Sequence, residues 1–198
     1  MKILIGSGGL AKDFLSYFKY LYVFLIDDCK TGQVFGHPII GSISDFLDDS
    51  DKMLRPLKHG NFGITPTVFN CVGSVGYNGT RNKVFDRLCE AGIETDNIIM
   101  GSFIASDVSL GKNILINVGV QIHHDVIIED NCVISPSVTI CGDCHICKNS
   151  FIGAGSTIIQ GITLGENCII AAGSVVTTNV PPNSVYGGCP AKNLNRKD

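Results

Sequence analysis

The 198-residue chain has no tryptophan, only seven prolines against twenty-three glycines, and few charges, with Asp, Glu, Lys and Arg at 17%. Hydrophobic residues reach 44%, so scarcity of charge here does not mean disorder. There is enough apolar side chain to build a sizeable core. A net charge of −3 and a pI near 5.9 provide no drive toward a phosphate backbone, which excludes nucleic acid as a partner. No apolar run approaches the roughly 20 residues of a bilayer span, and membrane insertion is excluded on that ground. Met1-Lys2 leads straight into Ile3-Leu4-Ile5-Gly6 without a signal-peptide pattern. Nine cysteines, an odd number, then read as reduced thiols in the cytoplasm. The Asn78-Gly79-Thr80 sequon is a chance match in that setting.

What the chain does have is a stride of six. Stepping by six from Ile104 through Leu110, Ile116, Ile122, Ile128, Ile134, Ile140, Ile146, Ile152, Ile158, Leu164 and Ile170 to Val176 meets thirteen aliphatic residues in thirteen positions. Two residues before each stands a small or aliphatic residue, from Ser102 to Ser174. Neither a helix nor a hairpin sheet has this period. A parallel β-helix does: each hexapeptide forms one side, three sides form a coil, and coils stack at about 4.8 Å. Alternate residues of a strand face the same way, so the long aliphatic and the small residue both point inward. Thirteen hexapeptides make four and a third coils, a prism on the order of 20 Å tall. Gly111, Gly153 and Gly165 follow the inward aliphatic, where a corner is expected.

The same register decides the cysteines. Cys141, Cys144 and Cys147 have CxxCxxC spacing, but Cys144 faces inward while Cys141 and Cys147 face outward on successive sides. An extended hexapeptide spans up to roughly 20 Å, whereas thiolates sharing one zinc lie within roughly 4 Å. This motif is therefore not a metal site. Cys132, Cys144 and Cys168 read as small buried hydrophobes.

The first hundred residues alternate strand and helix patterns. Strands are expected at Lys2 to Ile5, Tyr22 to Ile26, Val68 to Val72 and Asn97 to Met100. Helices are expected from Ala11 to Leu21, over the short run Ile43 to Asp48, and from Thr80 to Ala91 with Gly92 closing it. Such alternation implies a small parallel sheet with ligands at the carboxyl ends of its strands. Gly6-x-Gly8-x-x-Ala11 between strand and helix, with Asp27 twenty-one residues after Gly6, fits a dinucleotide fingerprint. Glycines there let backbone N–H groups approach a diphosphate. The same turn also suits a strand–helix junction that binds nothing. A full double-wound domain needs more strands than these residues supply, so a nucleotide-diphosphate ligand fits better than NAD.

These features together resemble the sialic-acid O-acetyltransferase-like family of sugar acetyltransferases, which includes bacterial nucleotide-activated aminosugar N-acetyltransferases. The likeness covers nearly the whole chain. It is carried by Gly6-Ser7-Gly8-Gly9, Phe24-Leu25-Ile26-Asp27-Asp28, the hexapeptide array, Ile122-His123-His124-Asp125 and Tyr186-Gly187-Gly188-Cys189-Pro190-Ala191-Lys192. The resemblance implies a left-handed prism, three copies about a threefold axis, and acetyl-CoA lying along the prism between neighbours. It implies His124 as catalytic base, Asp125 as its acidic neighbour, Asn117 as an associated asparagine and Gly142 as the oxyanion glycine. Gly142, Gly153, Gly155, Ala172 and Gly173 are the small residues expected along the pantetheine arm, although each also suits a corner without a ligand. Gly6, Ser7, Gly8, Gly9, Asp27, Asp28, Gly73 and Arg81 are expected around the nucleotide sugar. The chain departs from the pattern at Leu10 and Val133, where many members have histidine, and in the lengthened segment Gly73 to Arg81.

The chemistry is consistent with those residue types. Acetyl transfer from a thioester needs a neutral nucleophile, a proton acceptor and a donor for the oxyanion. A histidine near pKa 6.5 accepts a proton at cellular pH. His124 and Asp125 fall on a corner of the coil, outside the filled interior, and Gly142 lies eighteen residues on, in the next coil. His123 and His145 occupy outward positions suited to a surface or a subunit contact. Both His123 and His124 would also fit as plain surface residues.

The expectation is a small α/β Rossmann-like N-terminal domain over residues 1–101, binding a nucleotide sugar. A left-handed parallel β-helix acetyltransferase domain with a C-terminal tail follows over 102–198. The expected activity is acetyl-CoA-dependent N-acetylation of a UDP- or dTDP-linked 4-amino-4,6-dideoxy sugar by a cytoplasmic homotrimer, with no metal required. The rivals are O-acetylation of a sugar of sialic-acid type, a non-catalytic binding protein and, last, an NAD-linked enzyme.

Overall fold

The structure is a computed structural model that describes residues 2–5, 16, 23–26, 33–34, 37–42, 45, 48–49, 67–70 and 79–195. The chain divides into two compact units, Met1–Ser74 with Lys83–Asp96 and Val75–Asn82 with Asn97–Asp198.

The first unit holds a sheet of β1 (Lys2–Ile5), β2 (Val23–Ile26), β3 (Gln33–Val34), β4 (His37–Gly41) and β5 (Thr67–Asn70). Their order is β3-β4-β2-β1-β5. β1 pairs in parallel with β2 and β5, β2 pairs in parallel with β4, and β3 is antiparallel to β4. The three apolar runs expected as strands are strands. The antiparallel pair β3–β4 was not anticipated: Pro38 interrupts its apolar run, and the β2–β4 register shifts between Leu25 and Ile26. The helix expected at Ala11 to Leu21 falls outside the described residues except for Ser16, which is helical. Gly6, Ser7, Gly8, Gly9, Leu10, Asp27, Asp28 and Gly73 also fall outside them.

Helix α1 spans Thr80–Glu90. Val84 and Leu88, four residues apart, are buried along one stripe. Gly92 ends it with φ +67°, and the Ile93 N–H returns to the Leu88 carbonyl at 2.9 Å, the left-handed closure that glycine permits.

In the second unit, two-residue strands stack into three parallel faces. One face runs Phe103–Ile104, Gln121–Ile122, Thr139–Ile140, Thr157–Ile158 and Val175–Val176. A second runs Ser109–Leu110, Ile127–Ile128, His145–Ile146 and Thr163–Leu164. The third starts at Ile98–Ile99, passes Leu115–Ile116, Val133–Ile134, Phe151–Ile152 and Ile169–Ile170, and ends in the hairpin of Val185–Gly188 with Ala191–Asn193. Within the array the register is eighteen residues, as in Gln121↔Thr139 and Ile127↔His145. It shortens at both ends, to seventeen at Ile98↔Leu115 and sixteen at Ile169↔Val185. The coil is left-handed with about five turns.

The stride of six is the core. Ile116, Ile122, Ile134, Ile140, Ile146, Ile152, Ile158, Leu164, Ile170 and Val176 are all fully buried. Cys132, Cys144 and Cys168 fill the small inward positions, and their thiols reach the carbonyls of Cys147, Ile159 and Pro181 at 3.1–3.3 Å. Burial pushes the Cys132 thiol up to about 12.

The corners differ from expectation. From Asn113 to Gly173, the residue three after each inward aliphatic lies in the left-handed region, with φ between 57° and 73°. Asn, Asp and Gly dominate these positions because they tolerate that conformation. The turn therefore falls two residues beyond Gly111, Gly153 and Gly165. Those glycines serve close approach instead: a Cβ on Gly153 would lie 2.5 Å from Ala172 N, and one on Gly165 would lie 2.5 Å from Pro182 N. The corner between the second and third faces carries an amide ladder. Asn113 Nδ2 donates to Asn131 Oδ1 at 2.7 Å, and Asn131 Nδ2 donates to Asn149 Oδ1 at 2.7 Å and to Asn82 Oδ1 at 2.9 Å.

Candidate active site

Two corners of the prism hold the residues singled out above. The corner leaving the first face presents His124 and Asp125, with Gly142 and Asp143 in the coil below. His124 Nδ1 lies 2.9 Å from Asp125 Oδ2. Strand alternation would send neighbouring side chains apart, but Asp125 has φ 58°, which folds its carboxylate back toward the imidazole. A carboxylate only accepts, so Nδ1 carries the proton and Nε2 of the neutral ring presents its lone pair. The two side chains are 62% and 61% exposed, so a substrate can reach them.

Gly142 is the floor under the ring. A Cβ there would lie 2.5 Å from His124 Nε2 and 2.8 Å from Nδ1, a contact no other residue type could relieve without displacing the imidazole. The Asp143 N–H donates to the His124 carbonyl at 3.1 Å, fixing the two coils in register. The Gly142 N–H has no acceptor among the described residues. Its place beneath His124 matches the position expected from the eighteen-residue step.

The Asp125 hydrogen bond holds the His124 pKa above its ordinary 6.5. Slight desolvation opposes this, while the charges of Asp125, Asp143 and Asp107 reinforce it. Asp143 was not singled out from the sequence. Its signal was available as the eighteen-residue offset from Asp125, which stacks two acidic corner residues beside one histidine.

Asn117, Gly153, Gly155, Ala172 and Gly173 occupy a different corner, between the third and first faces. Within one chain Asn117 is not beside His124, and its Oδ1 accepts the Val118 N–H at 2.8 Å. Gly155 and Gly173 both have φ +68° and open space where a side chain would stand. They leave backbone exposed along this edge.

Arg81 is 1% exposed, and its Nη2 donates to the Asn113 carbonyl at 2.7 Å. Its guanidinium is used inside the fold rather than presented at a surface. Val133 is 7% exposed and packs between Leu115 and Phe151 on the third face. His123 tilts against exposed Phe103 with ring centroids 6.1 Å apart. His145 bonds to Glu129, a partner that sequence proximity does not suggest.

Comparison with known proteins bears on this arrangement. Residues 143–178 match the family described as bacterial transferase hexapeptide (six repeats). No curated protein matches the chain by sequence. Among solved structures, a variant of the GDP-perosamine N-acetyltransferase from Caulobacter crescentus, in complex with CoA and GDP-perosamine, is similar at 25% identity. That match covers 100% of this chain and 97% of the other, with a TM-score of 0.78. The fold is also shared with WeeI from Acinetobacter baumannii AYE, at 23% identity, 98% and 99% coverage and TM-score 0.74. The acetyltransferase domain of PglB from Neisseria gonorrhoeae FA1090 is likewise similar in fold, at 19% identity, 98% coverage of each chain and TM-score 0.71.

The repeat and the whole-length likeness define a hexapeptide-repeat acyltransferase. Within that class its likeness over the whole length is to sugar N-acetyltransferases.

Proposed function

We infer that the protein transfers the acetyl group of acetyl-CoA to the amino group of a nucleotide-linked 4-amino-4,6-dideoxy sugar. The observation that carries this reading is His124 lying on Gly142 with Nδ1 held by Asp125 at 2.9 Å. The amine attacks the thioester carbonyl carbon and an N–C bond forms. His124 Nε2 takes the amine proton, and the Gly142 N–H donates to the oxyanion. The C–S bond then breaks, and the imidazolium returns the proton to the departing sulfur. Asp125 keeps the ring in the tautomer this sequence needs.

A homotrimer fits the separation of the two corners. His124 and the small-residue edge of Asn117, Gly153, Gly155, Ala172 and Gly173 lie one face apart in a single chain. A second copy can bring its small-residue edge opposite His124, leaving a groove for the pantetheine arm. In this reading the N-terminal unit holds the nucleotide sugar through Gly6–Gly9, Asp27, Asp28 and Gly73, and the prism, expected from residue 102, starts at Ile98–Ile99. We place the reaction in the cytoplasm, the setting that the odd number of cysteines, read as reduced thiols, suggests. Among the described residues no helix is long and apolar enough to cross a membrane. The sequence suggested UDP or dTDP as the carrier. The likeness to a GDP-sugar enzyme adds GDP to the candidates.

A thiol-release assay with acetyl-CoA tests this against GDP-, UDP- and dTDP-linked amino sugars and against free sialic acid. Release that depends on an amino sugar supports the reading. Release with the hydroxyl acceptor alone establishes O-acetylation instead, and no release together with no CoA binding establishes a binding protein.

A further inference from the structure

On the corner leaving the second face, stacking brings Glu129 beside two donors that are close in sequence, His145 and Cys147. Glu129 follows the inward Ile128, Cys147 follows Ile146 one coil below, and His145 precedes Ile146 on the same outward side. One ligand atom from each of Glu129, His145 and Cys147 lies within 4.8 Å of the other two. All three are half-buried, and His145 Nε2 is 2.7 Å from Glu129 Oε1. The geometry points to a binding site for a divalent transition-metal ion of the zinc type, held by Cys147 Sγ, His145 Nε2 and a Glu129 carboxylate oxygen.

Nitrogen, sulfur and carboxylate oxygen together are a borderline-soft set that suits zinc, with ligand distances of roughly 2.0–2.3 Å and water completing a tetrahedron. Small rotations of half-exposed side chains close the remaining gap. Glu129 also lines a cavity of about 340 Å³ with Leu110, Ile127, Asp130 and Lys148, while His145 and Cys147 lie outside its lining. Partial burial works against ionising Glu129, but the Lys148 N–H at 3.0 Å and His145 outweigh it and hold its carboxyl below the ordinary range. The Lys148 ammonium is drawn 3.5 Å from Glu166 on the next coil.

Glu129 is therefore an acceptor, and the proton in its bond to His145 sits on Nε2. On metal binding that proton moves to Nδ1 and the thiol proton leaves to solvent, so each donor atom offers a lone pair. The ion would clip two successive coils together, at a corner other than that of His124. The CxxCxxC spacing remains no site: of its cysteines only Cys147 takes part, with His145 of its own hexapeptide and Glu129 of the neighbouring coil.

The test is titration of the full chain with Co²⁺ under anaerobic conditions, followed by the thiolate-to-cobalt absorption band. The site predicts a band in the wild type and in Cys141→Ser and Cys189→Ser. The band is lost in Cys147→Ser and weakened in His145→Gln. In parallel, Zn²⁺ raises the melting temperature of the wild type more than that of Cys147→Ser, whose metal-free melt checks its folding. A wild type without a band, or a band that survives Cys147→Ser, overturns the site. Either result leaves the acetyl-transfer reading untouched, since His124, Asp125 and Asp143 contain no sulfur.

Discussion

Two of the prism's three corners carry a histidine–carboxylate pair, and the pairs are wired in opposite ways. Asp125 holds His124 by Nδ1 at 2.9 Å, from the adjacent residue, with both side chains more than half exposed. Glu129 holds His145 by Nε2 at 2.7 Å, from the neighbouring coil, with side chains 38% and 40% exposed. The first arrangement frees Nε2 to take a proton from an incoming nucleophile. The second uses that nitrogen to tie coils together. An imidazole and a carboxylate thus suit a proton acceptor or a clip, according to which nitrogen is bound and how deeply.

The largest expected effect is at the first pair. His124→Ala lowers acetyl transfer by about 10²–10⁴-fold, while His145→Ala leaves turnover near wild type, both measured by thiol release on folded protein. Next is Gly142→Ala. Its new methyl meets the imidazole and displaces it, costing up to about 10²-fold in turnover with the circular dichroism spectrum unchanged.

The pH dependence sharpens the contrast further. In the proposed mechanism His124 acts as a base only when neutral, so kcat/KM is expected to rise with pH through its pKa, which lies above the ordinary 6.5. Asp125→Asn removes the main cause of that elevation and moves the midpoint of the pH profile downward. Asp143→Asn removes only a charge and moves the midpoint in the same direction by less. A midpoint that rises in either variant would contradict the wiring of this corner.

Much of this was legible in the sequence, and the reasons are physical. A buried aliphatic every six residues can satisfy only a three-sided coil, so the faces and the fillers Cys132, Cys144 and Cys168 followed directly. The position of His124 over Gly142 followed from the eighteen-residue coil. The corner at His124 and Asp125 was legible, but the left-handed residue was not, because Gly111, Gly153 and Gly165 carry the more familiar turn signal. The left-handed residues are mostly Asn and Asp, such as Asn113, Asp125 and Asn131, whose side chains disguise the pattern. Pairings such as Glu129 with His145 and Asn82 with Asn131 are absent from any local motif, being set by stacking and by the course of the chain. Arg81 was expected near the ligand only from the family resemblance, and its hydrogen bond to the Asn113 carbonyl turns it inward. Strand β4 was hidden by Pro38, which lowers the strand signal without preventing the pairing.

The most direct measurement of the central claim is a crystal structure with CoA bound. The account predicts its sulfur beside His124 Nε2 in one copy, in direct contact or bridged by one water, with the pantetheine arm along Gly153, Gly155 and Gly173 of a second copy. A sulfur bound at another corner, away from every His124, would contradict it.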